Sequence, residues 1–138
     1  MDAFDADVLI YAAVPGHRLG RRVRALFPEE ATATTGAVAG IGSVLLIPEL
    51  LTKPMRDGAE VEALAALLAR VDLRPVDEAV AELATVLGAA HGLLAADAVH
   101  LATAVAAGAD RFITNNSSDF TKTIIEIDVT YPDELPDP

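Results

Sequence analysis

Two hydrophobic periodicities alternate along the 138 residues, and this alternation constrains the fold more than any other feature. Arg18 to Phe27 sets Leu19, Val23, Leu26 and Phe27 on one face at helical spacing. Ala59 to Arg70 does the same with Val61, Leu64, Ala65 and Leu68, and Asp77 to His91 with Val80, Leu83, Ala84 and Leu87. Asp97 to Ala107 is Ala-rich and helical, and Gly108 stops it. Between these lie short strand candidates: residues 2–6, Ala31–Thr35, Val71–Val76, Arg111–Thr114 and Ile124–Thr130. In the last, Ile125, Ile127 and Val129 alternate with Glu126, Asp128 and Thr130. Strands interleaved with helices predict an α/β fold, a three-layer α/β/α sandwich with a short, mainly parallel central sheet. Ligands in such folds bind at the carboxyl ends of the strands.

The second quarter of the chain is harder to read. Gly36, Gly40 and Gly42 predict a bend, and Ser43 then suits the N-cap of a helix through Thr52. Pro48 should kink that helix and Lys53-Pro54 should end it. No repeat, low-complexity tract or linker interrupts the chain, so residues 1–138 are expected to form one domain.

Composition excludes several chemistries. There is no cysteine, which removes disulfides, thiolate metal sites and a Cys nucleophile together. The three histidines, His17, His91 and His100, are scattered, so a His-rich zinc site is not expected. The run from Val44 to Leu51 is broken by Pro48 and falls short of the roughly 18 residues a membrane helix needs. The opening residues carry Asp2 and Asp5 and lack a positively charged signal-peptide start, so no membrane partner and a cytoplasmic location are expected.

Acidic residues carry the functional signal. Asp5-Ala6-Asp7 stands where the first strand runs out. A carboxylate at the end of a central strand is costly unless paired or coordinated, while Asp7 also suits the cap of the helix that follows. Glu49 interrupts an apolar helix, Asp97 lies in the first turn of another, and Asp119 ends the polar turn Thr114 to Ser118. Each has a local alternative: a solvated helix position for Glu49, a helix-dipole partner for Asp97, an Asx-type turn for Asp119. His100 lies one turn beyond Asp97 on the same side, a position typical of a packed or hydrogen-bonding histidine. Carboxylates gathered from four segments would repel one another without a cation among them. Oxygen ligands alone select Mg²⁺ or Mn²⁺ over zinc.

In order along the chain, these segments resemble the four acidic motifs of PIN-domain ribonucleases. Asp5-Ala-Asp7-Val-Leu-Ile-Tyr is similar to the opening motif, and Pro48-Glu49-Leu-Leu to the second. Asp97-Ala-Val-His100-Leu-Ala-Thr-Ala resembles the third, and Thr114-x-Asn116-x-x-Asp119-Phe120 the fourth. Chain length and motif style resemble the VapC-like toxins of type II toxin–antitoxin systems. The resemblance implies an Mg²⁺- or Mn²⁺-dependent endoribonuclease whose catalytic and metal-binding residues are Asp5, Glu49, Asp97 and Asp119. It implies products with 5′-phosphate and 3′-hydroxyl ends, a homodimer, and a cognate antitoxin that binds near the site. Thr114 and Asn116 would orient the carboxylates, and Asp7 would support them.

The net charge of −11 opposes an RNA substrate, because affinity for phosphates comes chiefly from Lys and Arg. The site carboxylates account for part of it, and a divalent ion would offset them locally. Basic residues crowd one helix, where Arg18, Arg21 and Arg22 fall opposite the apolar face and are candidate RNA contacts. Lys53 and Arg56 could extend that arm. Two other functions stay open: a PIN-like module that binds RNA or protein with little catalysis, and a haloacid-dehalogenase-like phosphatase with Asp5 as nucleophile and Asp7 as acid. The latter needs a lysine ahead of a late acidic pair, and none lies between Lys53 and Lys122.

Overall fold

A computed structural model describes residues 1–28 and 38–138. Five short strands form one parallel sheet: β1 (Asp2–Phe4), β2 (Gly40–Ser43), β3 (Val71–Arg74), β4 (Arg111–Ile113) and β5 (Asp128–Thr130). Their spatial order is β3-β2-β1-β4-β5, so β1 is central. In register, Asp2, Ala3 and Phe4 face Arg111, Phe112 and Ile113 across the β1–β4 pair. Among the described residues the connections hold six α-helices: α1 (Ala6–Ala13), α2 (Arg18–Arg24), α3 (Leu46–Arg56), α4 (Glu62–Leu68), α5 (Glu78–His91) and α6 (Ala95–Ala106).

The strand pleat divides the core in two. Ala3, Ile41, Phe112 and Val129 pack with Val80, Ala84, Leu87 and Leu101 of α5 and α6. Their strand neighbours Phe4 and Ile113 pack on the other side with Val8, Leu9, Val23, Leu46 and Leu67 of α1 to α4. Successive strand residues therefore serve opposite helical layers, as a three-layer sandwich requires. Burying Phe4 or Phe112 fully contributes about 1.5–3 kcal/mol each.

Several expectations need correction. Residues 40–43 are not a bend but the buried strand β2. Glycine gives no periodic signal, yet it is required here, since a Cβ on Gly40 would run into the Asp2 carbonyl and the Phe4 ring. Ser43 ends that strand; Leu45 is the N-cap of α3, and the Ser43 hydroxyl accepts a 3.1 Å bond from its N–H. Pro48 falls in the first turn of α3, where no intrahelical donor is lost, and the helix runs through Pro54 to Arg56. A separate helix α1 follows β1 at once, and Asp5, not Asp7, is its N-cap. Helices α2 and α4 are shorter than their periodicity suggested, spanning Arg18–Arg24 and Glu62–Leu68.

Only Asp128–Thr130 of the expected 124–130 strand pairs with the sheet. Ile125, which the alternation placed inward, is 89% exposed, while Ile124 and Ile127 are buried. The expected strand Ala31–Thr35 lies outside the described residues. Among the described residues no single helix is long and apolar enough to cross a membrane.

Candidate functional site

Asp5 follows the last residue of β1, and its backbone N–H extends the ladder to the Ile113 carbonyl at 3.0 Å. The residue is only 6% exposed. One carboxylate oxygen accepts from the Ala6 N–H at 2.9 Å, capping α1. The other accepts from the Thr114 hydroxyl at 2.8 Å. Thr114 is itself buried and follows β4, so two adjacent parallel strands end by touching through their side chains.

From Thr114 a chain of hydrogen bonds continues outward. The Thr114 hydroxyl accepts from the Asn116 N–H at 3.1 Å. The Asn116 side-chain amide donates to Asp119 at 2.9 Å, while its carbonyl oxygen accepts from the Asp119 N–H at 3.3 Å and the Ser118 hydroxyl at 3.0 Å. This is the Asx-type turn that the sequence offered as the alternative for Asp119. The turn and the site coincide, because the turn's own bonds link exposed Asp119 back to buried Asp5.

Asp7 lies inside α1, half-buried. One oxygen accepts from the Asn115 N–H at 3.0 Å; the other is buried and has no partner. The Asn115 amide reaches the Tyr11 hydroxyl at 3.3 Å, and the Tyr11 ring stacks on His17 at 4.5 Å. Tyr11 and Asn115 went unnoticed in the sequence. Asn115 acts largely through its backbone, which no side-chain motif announces. Asp97 is half-buried in the first turn of α6. Glu49, on α3, meets the buried His100 of α6, whose Nε2 lies 3.0 Å from the carboxylate.

The electrostatics show that these groups share one space. Burial, the largest influence, raises the Asp5 carboxyl above the usual carboxylate range, with Glu49 adding to it and Thr114 and His100 opposing. Burial and then the neighbouring Asp5 push Asp7 up to about 6. Asp97 is raised by burial first, then by Asp5 and Asp119. The structure thus brings Asp97 within electrostatic reach of Asp5, Asp7, Glu49 and Asp119 at the carboxyl ends of β1 and β4. Among the described residues no Lys or Arg lies within ion-pair distance of any of them; Glu49 has His100 alone.

This donor set suits a hard divalent cation, because it offers only carboxylate oxygens at a place already burdened with like charge. Among the described residues no three His, Asp or Glu side chains already converge on one point at ligand distance.

The arginines of α2 separate. Arg18 and Arg21 are exposed, Arg21 with a 3.4 Å bond to the Pro138 carbonyl. Arg22, expected beside RNA, instead donates to the carbonyls of Asp133 and Leu135 at 3.0 and 2.7 Å, holding the C-terminal segment against α2.

The chain superposes on a toxin–antitoxin complex from Klebsiella pneumoniae with a TM-score of 0.72 at 23% identity, covering 96% of this chain and 98% of that one. It matches VapBC2 from Rickettsia felis, solved with a promoter DNA fragment, with a TM-score of 0.67 at 16% identity over 94% and 97% of the two chains. For FitAcB from Neisseria gonorrhoeae the TM-score is 0.61 at 21% identity, over 98% and 100%. At these identities the likeness is one of fold. No curated protein matches the sequence. The PIN domain family model, however, matches residues 3–124, from β1 through the fourth acidic motif: the chain belongs to the PIN domain family.

Proposed function

We propose that this chain is a metal-dependent endoribonuclease that hydrolyses RNA phosphodiester bonds and acts as the VapC-like toxin of a toxin–antitoxin pair. The observation that carries this reading is the cluster at the ends of β1 and β4, where buried Asp5 raises the proton affinity of half-buried Asp97 and, among the described residues, no Lys or Arg lies within ion-pair distance of either. Such a cluster is a liability in a protein that holds no cation and an asset in one that does.

In this reading Asp5, Glu49, Asp97 and Asp119 hold Mg²⁺ or Mn²⁺. A bound divalent ion supplies an activated water and neutralises charge on the phosphate being cut. The chain's own residues do the positioning. Thr114 fixes the rotation of the Asp5 carboxylate, and Asn116 fixes that of Asp119. Asp7, through Asn115, ties α1 to the loop after β4 and so sets the distance between the first and fourth acidic segments. The exposed Arg18 and Arg21 are the candidate contacts for the RNA backbone; Arg22 is committed elsewhere. The toxin assignment rests on the fold shared with the toxin–antitoxin complex from Klebsiella pneumoniae and with VapBC2 from Rickettsia felis. It brings with it a cognate antitoxin, a homodimer and a cytoplasmic setting.

The deciding assay is RNA cleavage with Mg²⁺ or Mn²⁺, with and without chelator, by wild type and Asp97→Asn. Cleavage should require the metal and fall at least about a hundredfold in the variant. Metal-independent cleavage, or an unaffected variant, would overturn the reading.

A further inference from the structure

Among the described residues, His100 is a titratable side chain at the site to which the acidic motifs assign no role. It lies on α6, three residues after Asp97, and its side chain is only 1% exposed. Its Nε2 is 3.0 Å from a Glu49 oxygen on α3. An ionised carboxylate can only accept, so Nε2 carries the proton. Nδ1 is buried and has no hydrogen-bond partner. A histidine kept for packing stability alone would be poorly chosen here. It leaves one ring nitrogen unsatisfied in the interior, and the group it does bond is 34% exposed and could be served by water.

Glu49 needs something to hold it. It sits in the first turn of α3, and nothing else bonds its carboxylate among the described residues. A long, solvent-touching side chain there would sample several rotamers. Asp5 and Thr114 are locked by folding, and Asp119 is locked by its own turn. Glu49 is the acid whose orientation depends on a residue 51 positions away.

We propose that His100 is a positioning residue that holds the Glu49 carboxylate toward the cluster, so that α6 supplies Asp97 as a ligand and His100 as the guide of a second ligand. This rests on the metal-binding reading of the site. It is not itself a ligand or a proton carrier in this role; its contribution is to make Glu49 available without a search among rotamers.

The test compares Mn²⁺ affinity with metal-free stability, because the proposal moves them in different directions. Mn²⁺ titrations followed by electron paramagnetic resonance of the free ion would be run on wild type, His100→Leu, His100→Gln and His100→Asn. Loss of an orienting partner typically weakens metal binding about 10–100-fold, and that is the expectation for His100→Leu. Glutamine can place an amide N–H where Nε2 stood and should stay within about threefold of wild type; the shorter asparagine cannot reach and should behave like leucine. In EDTA, His100→Leu should melt no lower than wild type, since it removes an unsatisfied buried nitrogen and leaves Glu49 to water. In a Glu49→Gln background, His100→Leu should cost less than about twofold more.

A merely structural histidine would give the reverse, a lower melting temperature in EDTA with unchanged Mn²⁺ affinity, and that result would overturn the proposal. Should His100→Leu fail to fold, the glutamine and asparagine pair decides, because equal affinities in those two overturn it as well. If wild type binds no Mn²⁺ at all, the metal reading of the site falls and this inference with it. If wild type binds and His100→Leu binds equally, only the role of His100 falls.

Discussion

One aspartate opens strand β1 and another follows its last residue, and the two are treated in opposite ways. At the N-terminal end Asp2 faces Arg111 across the β1–β4 pair, and the guanidinium grips both carboxylate oxygens at 2.7 and 3.2 Å. Three residues on, Asp5 is more deeply buried and receives a hydroxyl and one N–H, but no cation. The same sheet register therefore completes one carboxylate with a partner from its neighbour and leaves the other short of one. Folding alone accounts for Asp2. Asp5 caps α1 and accepts from Thr114 but has no cationic partner, and in the proposed reading a divalent cation completes that end of the sheet.

The comparison breaks most visibly on activity. Asp5→Asn keeps the shape and the oxygen that caps α1, replaces the oxygen facing Thr114 with an N–H donor that the hydroxyl can accept, and removes the charge, so cleavage should fall by at least about a hundredfold, roughly 2.7 kcal/mol of transition-state stabilisation. Steady-state kinetics with Mn²⁺ checks it. Melting in EDTA should move the other way, with the variant at least as stable as wild type, because a buried like charge has gone. An active Asp5→Asn enzyme would erase the distinction between the two ends of the strand.

At the other end the expectation is reversed. Arg111→Met should cost about 2 kcal/mol of stability, since it strands a half-buried Asp2 carboxylate and forfeits two charge-assisted bonds. Urea denaturation measures this. The kcat of the folded variant should be unchanged, and a drop in kcat as large as the drop in stability would show that the two ends are coupled through β1.

The pH dependence sharpens the contrast further. Burial and Asp5 push Asp7 from an ordinary 3.8 to about 6, and Asp5 and Asp97 shift the same way. A carboxyl with a raised folded value binds its proton more tightly when folded. Its stabilising contribution is fully present below about pH 4 and is lost as pH rises through about 6. The metal-free protein should therefore be less stable at about pH 7.5 than at about pH 5, by on the order of 2 kcal/mol. Glu126 and Glu134, held low by His91 and Lys122, act below that window. Saturating Mn²⁺ should reverse the slope, because the metal takes the deprotonated carboxylates. Calorimetric scans at the two pH values, with and without metal, provide the check; an identical slope in both would remove the cation from the account.

How much of this could be read from the chain depends on the kind of information each part uses. Periodicity placed α5 and α6 within a few residues, because Val80, Ala84 and Leu87 are buried at the spacing the sequence shows. It misled at Ile125, where alternation looked like a strand but the segment ahead of β5 leaves the sheet and that side chain faces solvent. Strand β2 was illegible, since Gly40 and Gly42 earn their places by what they leave out, namely a Cβ against Asp2 or Leu46. The acidic residues were legible one by one, but their links were not. Thr114 meets Asp5 across 109 positions and His100 meets Glu49 across 51, distances over which no local pattern carries information. Arg22 shows the opposite error: a charge on a polar helix face looked free and turned out to hold the C-terminal segment.

Asp7 yields the smallest effect and the finest cut. It stands two residues from Asp5 and is half-buried, and one of its oxygens bonds the Asn115 N–H while the other is buried without a partner. If its work is to hold the loop after β4 at the right distance, Asp7→Asn retains an acceptor for Asn115 and should lower cleavage only about three- to tenfold, against the hundredfold of Asp5→Asn. It should also raise metal-free stability at neutral pH, since the amide needs no proton to be neutral there. Cleavage kinetics and EDTA melts on the same preparation measure both. A loss of activity equal to that of Asp5→Asn would make Asp7 a ligand in its own right, and the partnerless oxygen would then be its metal-facing atom.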